Sequence, residues 1–222
     1  MLDGLSEVAR AAVLSMYLAG RPLHDICDGP LTSAMHAVGE LWRHDAAGIY
    51  VEHRATDICI QALGLVRSLI PPAAEDAPVA MGGAPSGDPY VLPSMMAAAV
   101  LAAEGWHVIN LGPQLPLDVL AGAVQRTRPR LVWVSTSVPG WASRQTVELG
   151  QLDDAVVETA ANLVIGGRGW TKDITPLLRH ATMARTMTEL VAFAQGMRAA
   201  EIGPRPGSSA RRLRRLTQPG TV

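Results

Sequence analysis

The sequence has few of the features that would assign it quickly. It contains only two cysteines, Cys27 and Cys59, both set in apolar segments, which argues for buried thiols in a reducing compartment rather than a disulfide framework. A cytoplasmic protein is expected. Charge of one sign is also missing: 19 basic against 20 acidic residues leave a net charge of -1, so nothing global draws the chain to nucleic acid or to an anionic membrane. No apolar run approaches the roughly 18 residues of a membrane span, and the start Met1-Leu2-Asp3-Gly4 has no basic segment of the secretory kind. Catalytic signatures are equally absent. There is no Walker sequence, no H-E-x-x-H, no G-x-S-x-G and no paired-cysteine zinc pattern, and the histidines are scattered, so no enzyme activity is expected. His36 in particular reads as a packed or solvent-facing residue.

The chain does carry a change of periodicity. Leu5, Val8, Ala9, Ala12 and Met16 form one helical stripe, and Val51, Ala55, Ile58, Ala62, Leu65 and Leu69 form another. Gly20-Arg21-Pro22 breaks the first helix, Asp28-Gly29-Pro30 marks a turn, and Leu31 to Arg43 resumes helical spacing. A bundle of about four helices over residues 1–70 follows. Because helical spacing begins at residue 5, no helix-turn-helix is expected ahead of the bundle. After a Pro71-Pro72 linker over 71–78, short apolar runs bounded by Gly or Pro appear at Pro78–Met81, His107–Leu111, Leu131–Ser135 and Leu163–Ile165, with Ala181–Ala184 a candidate fifth. Helical stretches such as Ser94–Glu104 and Leu117–Gln125 lie between them, which predicts an α/β, flavodoxin-like or Rossmann-like parallel sheet over residues 79–202. Thr186-Met187-Thr188-Glu189 matches a capping box opening a last helix. Residues 203–222 hold five arginines and no acid and read as a disordered basic tail, the one candidate for direct nucleic-acid contact.

Trp42, followed after nine residues by Glu52-His53, resembles the helical-cap signature of light-responsive B12-dependent regulators, and Val38-Gly39-Glu40-Leu41 before it agrees. The second half resembles the B12-binding fold: Gly105 to Gly112 with Pro116 looks like the second strand and its loop, Ser135-Thr136-Ser137 like the serine motif after the third strand, and Gly166-Gly167 like the turn after the fourth. The resemblance implies a planar tetrapyrrole, cobalamin of the adenosylcobalamin type, between bundle and sheet. It implies cofactor contacts from Trp42, Glu52, His53, Asp88, Tyr90, Ser135, Ser137, Gly166 and Gly167. Asp57, four residues after His53, is placed to orient that ring.

The departure lies in the loop after the first strand. Where base-off B12 proteins carry D-x-H-x-x-G, this chain has Asp88-Pro89-Tyr90-Val91-Leu92-Pro93. Tyr90 replaces the cobalt-ligating histidine, and a phenol with a reference pKa of about 10 is a poor substitute for an imidazole. Arg43 also stands where some relatives have a further histidine. Two ligand readings stay open: cobalamin held without a protein lower ligand, or a linear tetrapyrrole such as biliverdin, its propionates met by Arg144, Arg168 or His107 and a thioether offered by Cys27 or Cys59. A sensory module signalling through a protein partner or homo-oligomer follows from either. A cofactor-free interaction module and a corrinoid carrier of a methyltransferase are the alternatives.

Overall fold

In a computed structural model, which describes residues 2–42, 47–170, 178 and 180–202, the chain folds as an all-helical segment followed by a five-stranded α/β unit. Side chains of residues 2–4, 41, 42, 47 and 200–202 lie outside the description, as does the whole of the basic tail. The helices are α1 (Leu2–Leu18), α2 (Leu23–Ile26), α3 (Thr32–Trp42) and α4 (Ala47–Leu69).

Asp28-Gly29-Pro30 does not reverse the chain as a turn. Cys27–Leu31 is a single π-helical turn that carries α2 into α3, with helical dihedrals at Ile26 and Thr32 on either side. Proline supplies no N–H and its ring crowds the carbonyl four residues back, so the backbone widens locally instead of breaking. The hydroxyl of Thr32 donates to the Cys27 carbonyl at 2.7 Å, satisfying one acceptor in the widened turn.

The expected apolar stripes are helical but face the wrong way in part. On α1 the buried residues are Ser6 and Val13, while Leu5 and Val8 are 67% and 65% exposed. On α4 the buried side runs through Cys59, Ala62, Leu63 and Val66, whereas Val51, Leu65 and Leu69 are exposed. The α1 and α4 helices meet through polar links, Arg10 to Gln61 and Arg54 to Ser6, the latter at 3.2 Å.

The strands are β1 (Val79–Gly83), β2 (His107–Asn110), β3 (Leu131–Ser135), β4 (Asn162–Gly166) and β5 (Ala181–Ala184). All pair in parallel in the order β2-β1-β3-β4-β5, the flavodoxin-like order, whose switch point lies between β1 and β3. The central β3, Leu-Val-Trp-Val-Ser, is buried at every position, as a strand covered on both faces must be. Connecting helices are α5 (Leu92–Ala103), α6 (Leu117–Thr127), α7 (Thr146–Thr159) and α8 (Met187–Ile202).

Two apolar clusters flank the sheet. One packs α6 and α7 on one face. The other joins α5 and α8 to the bundle, with Ile26, Leu63 and Val66 in the same cluster as Leu101, Leu131, Trp133 and Leu190. Bundle and sheet therefore share one core. The sandwiched α5 is apolar on nearly all sides, Met96 to Ala102 being buried, because it has bundle above and sheet below.

Candidate functional site: a cavity between bundle and strand ends

A cavity of about 1040 Å³ opens between α3 and α4 on one side and the C-terminal ends of β1, β3, β4 and β5 on the other. It is at the upper end of the roughly 300 to 1,000 Å³ typical of small-molecule sites, and it lies where open parallel sheets bind ligands. The α3 wall consists of Thr32, Met35, His36, Gly39 and Glu40, one helical face. The α4 wall consists of Glu52, His53, Thr56, Asp57 and Ile60, again one face. Glu52 and His53 thus both line the cavity. Trp42 closes α3, and its side chain falls outside the description.

From the sheet side come Tyr90 on the loop after β1, Ser135 at the end of β3 and Ser137 after it, and Gly166 at the end of β4 with Gly167 and Arg168 after it. Gly167 has φ +92°, and a Cβ there would come within 2.8 Å of the Thr136 carbonyl carbon, so glycine is required for the two loops to touch. Tyr90 is 40% exposed, its ring open to the cavity.

Asp88 is placed differently from the expectation of a cofactor contact. It is fully buried and does not line the cavity. One carboxylate oxygen accepts the backbone N–H of Tyr90 at 2.8 Å, and the other accepts the N–H of Ser137. Its role is to clamp the β1 loop to the β3 loop by charge-assisted bonds. The same loops are tied by the Trp141 indole N–H to the Ser86 carbonyl at 2.7 Å and by the Gly87 N–H to Gln114 Oε1 at 2.9 Å.

Other expectations change too. Asp57 does not orient His53; it accepts from Gln61 Nε2 at 2.8 Å and pairs with Arg54. His107 begins β2, at the end of the sheet away from the cavity, and Arg144 lies in the short helical turn after β3 without lining it. Arg168 alone of the three proposed carboxylate donors reaches the site. Cys27 and Cys59 are buried and off the cavity, and burial, helped by the negative charge of Asp28, pushes the Cys27 thiol up to about 12. A thiol so placed is no nucleophile for a thioether.

Several lining residues escaped the sequence reading. His36, read as packed or solvent-facing, is part of the α3 wall; its spacing of four from Thr32 and from Glu40 was the available signal. Arg185 follows β5 at the rim, and Trp133 forms part of the floor. Asp28, aimed outward by the π-helical turn, accepts the N–H groups of Met187 and Thr188 at 2.7 and 2.8 Å and the Thr188 hydroxyl at 2.7 Å. It caps α8 from the bundle, a long-range contact that no local pattern announces. The capping box also forms in part: Glu189 N–H bonds Thr186 Oγ1 at 3.0 Å, but the Glu189 carboxylate takes the Arg185 N–H.

Among the described residues the walls differ electrically: the bundle supplies Asp28, Glu40, Glu52 and Asp57 with His36 and His53, and the strand ends supply Arg168 and Arg185. Among the described residues no group of three or more metal-binding side chains is assembled.

Residues 1–67 match the family model described as the B12 binding domain. That match takes in nearly the whole of the bundle. The likeness extends through the bundle and the sheet after it: over 180 residues the chain is 31% identical to the HTH-type transcriptional repressor CarA of Myxococcus xanthus, covering 80% of this chain and 59% of that protein. The chain thus spans under two thirds of the length of that relative. The fold is shared with the monomethylamine corrinoid protein of Methanosarcina barkeri, at a TM-score of 0.63 and 15% identity, over 85% of this chain and 96% of that one. No helix among the described residues is long and apolar enough to cross a membrane.

Proposed function

We propose that this chain is a non-enzymatic sensory and regulatory module that binds a tetrapyrrole of the cobalamin type or its open-chain analogue between the B12-binding bundle and the strand ends. The observation that carries it is the cavity, wide, mostly apolar in its lining, with polar groups contributed by both halves. Met35, Ile60, Leu92 and Met96 offer the apolar walls that a flat ring requires, and Glu52, His53, Ser135, Ser137 and Arg168 offer polar contacts to its rim. Trp42 joins them on the strength of the resemblance. The bound group would supply visible absorption and, in a light-responsive module, the photochemistry. The likeness to the CarA repressor supports regulation of transcription as the output, exerted through a partner chain or a change of assembly.

A ligand wedged between α3, α4 and the strand ends would brace the bundle against the sheet, and its loss or change would loosen that brace. The functional division is a bundle cap over 1–70, a linker over 71–78, a tetrapyrrole-binding unit over 79–202 and a basic tail over 203–222. Purification from cells supplied with cobalamin and biliverdin should give a coloured protein. A colourless preparation that fails to bind either compound on titration refutes the reading.

A further inference from the structure

Beneath the cavity, the largest side chain in the layer between the central strand and α5 is an indole. Trp133 lies two residues before the end of β3 and is 2% exposed. Its indole N–H donates to Ser94 Oγ on α5 at 3.1 Å, and Ser94, also 2% exposed, lies 3.4 Å from Asn110 Oδ1 at the end of β2. Across the sheet Trp133 is in register with Gly82 of β1. A Cβ at residue 82 would come within 2.6 Å of the indole Cγ, so the ring occupies the space that any other residue there would need. Hydrogen bond, glycine neighbour and α5 together fix the indole as the floor of the cavity.

Given the tetrapyrrole reading above, on which this rests, we propose that Trp133 is a depth stop: the cavity accepts a tetrapyrrole as a flat disc and excludes any nucleotide arm from the layer between sheet and α5. Cobalamin carries such an arm on its lower face, ending in a base that coordinates cobalt. Detaching that base would require somewhere to put the arm and a replacement ligand. Among the described residues neither is present. The interlayer is occupied by the indole, and the described lining histidines, His36 and His53, come from the bundle wall, while the strand-end wall presents the phenol of Tyr90. Arg168 and Arg185, exposed at the strand ends, suit carboxylate substituents of the kind open-chain tetrapyrroles bear. Trp133 is therefore a specificity-determining residue that favours armless tetrapyrroles.

The test titrates the full chain in the dark, by absorbance, with three probes: aquocobalamin, aquocobinamide (the same corrin ring without the nucleotide arm) and biliverdin. At least one armless probe should bind ten times more tightly than aquocobalamin or better, and any bound cobalamin should keep its own base on cobalt in its absorption spectrum and, after reduction, its electron paramagnetic resonance. Trp133→Gly and the milder Trp133→Ala, checked for folding by circular dichroism, should improve aquocobalamin relative to aquocobinamide by tenfold or more. Tight cobalamin binding to the wild type with its base displaced would overturn the depth stop while leaving the tetrapyrrole reading intact. Folded variants with an unchanged preference would overturn it too. Absence of binding by all three probes would instead remove the tetrapyrrole reading, and this inference with it. The wild-type comparison decides the matter even if both variants fail to fold.

Discussion

Replacing Asp88 by alanine should be among the most damaging single changes in the α/β unit, although the residue touches no cavity. The carboxylate is fully buried and accepts two backbone N–H groups, from Tyr90 and Ser137. Hydrogen bonds to a charged group contribute roughly 1.5 to 3 kcal/mol each, and an unpaired buried donor costs about 1 to 3 kcal/mol. Truncation removes both bonds and strands two donors, of which water can reach Tyr90 more readily than Ser137. An overall loss of about 3 to 5 kcal/mol follows, a large share of the roughly 5 to 15 kcal/mol that holds a typical domain. Asp88→Asn keeps one acceptor facing Tyr90 and turns a donor toward the Ser137 N–H, so it should fall between, near 2 kcal/mol. Urea unfolding followed by circular dichroism reads both changes. At roughly 2 to 4 °C per kcal/mol for a chain of this size, Asp88→Ala should also lower Tm by about 10 °C. A midpoint within error of wild type for Asp88→Ala would show that the two loops are held by other contacts and that the clamp has been misread.

Gly167→Ala places a side chain at φ +92° against Thr136 and should cost about 2 kcal/mol or more, with altered cavity loops; denaturant unfolding measures it, and a neutral result would mean that the loops part easily. Asp28→Ala removes three bonds at the start of α8, costing about 1 to 2 kcal/mol, and should speed amide exchange in the first turn of that helix; unchanged exchange would show the cap to be idle. The Cys27 thiol should resist thiol reagents in the native state. Because its folded value near 12 lies above the ordinary 9.0, the unfolded chain alone ionises between them, so this contribution to stability is whole below pH 9 and is lost as pH rises toward 12. Rapid labelling of native Cys27 at pH 8 would contradict its burial. Finally, His53→Ala, exposed on α4, should weaken tetrapyrrole binding about threefold to tenfold with no change in Tm, which equilibrium titration checks.

The parts of this protein that the sequence alone determined are those governed by short-range rules. Strands β1, β3 and β4 were legible because they are short apolar runs closed by glycine or serine, a pattern that parallel strands buried on both faces must have. The serine and glycine turns could be placed at one crevice because the order of strands and helices sends every strand's C-terminal end to the same side, whereas Glu52 and His53 were joined to them by the family resemblance. Periodicity identified α1 and α4 as helices, yet it could not say which apolar stripe is buried. That was decided by where α5 and the sheet stand: Val13, Cys59, Leu63 and Val66 reach the shared core, and Leu5, Val8, Leu65 and Leu69 do not. Asp88 looked like a site residue because it stands at the aspartate of the D-x-H-x-x-G pattern, and only the fold brings the Ser137 N–H, 49 residues away, to its carboxylate. Likewise Asp28 reads as a turn residue until the π-helical turn aims it at α8, 159 residues on. Trp133 reads as one more apolar residue in a strand. Its meaning depends on Gly82 and Ser94, which belong to a different strand and to a helix, and a contact set by packing between layers leaves no local trace in the chain.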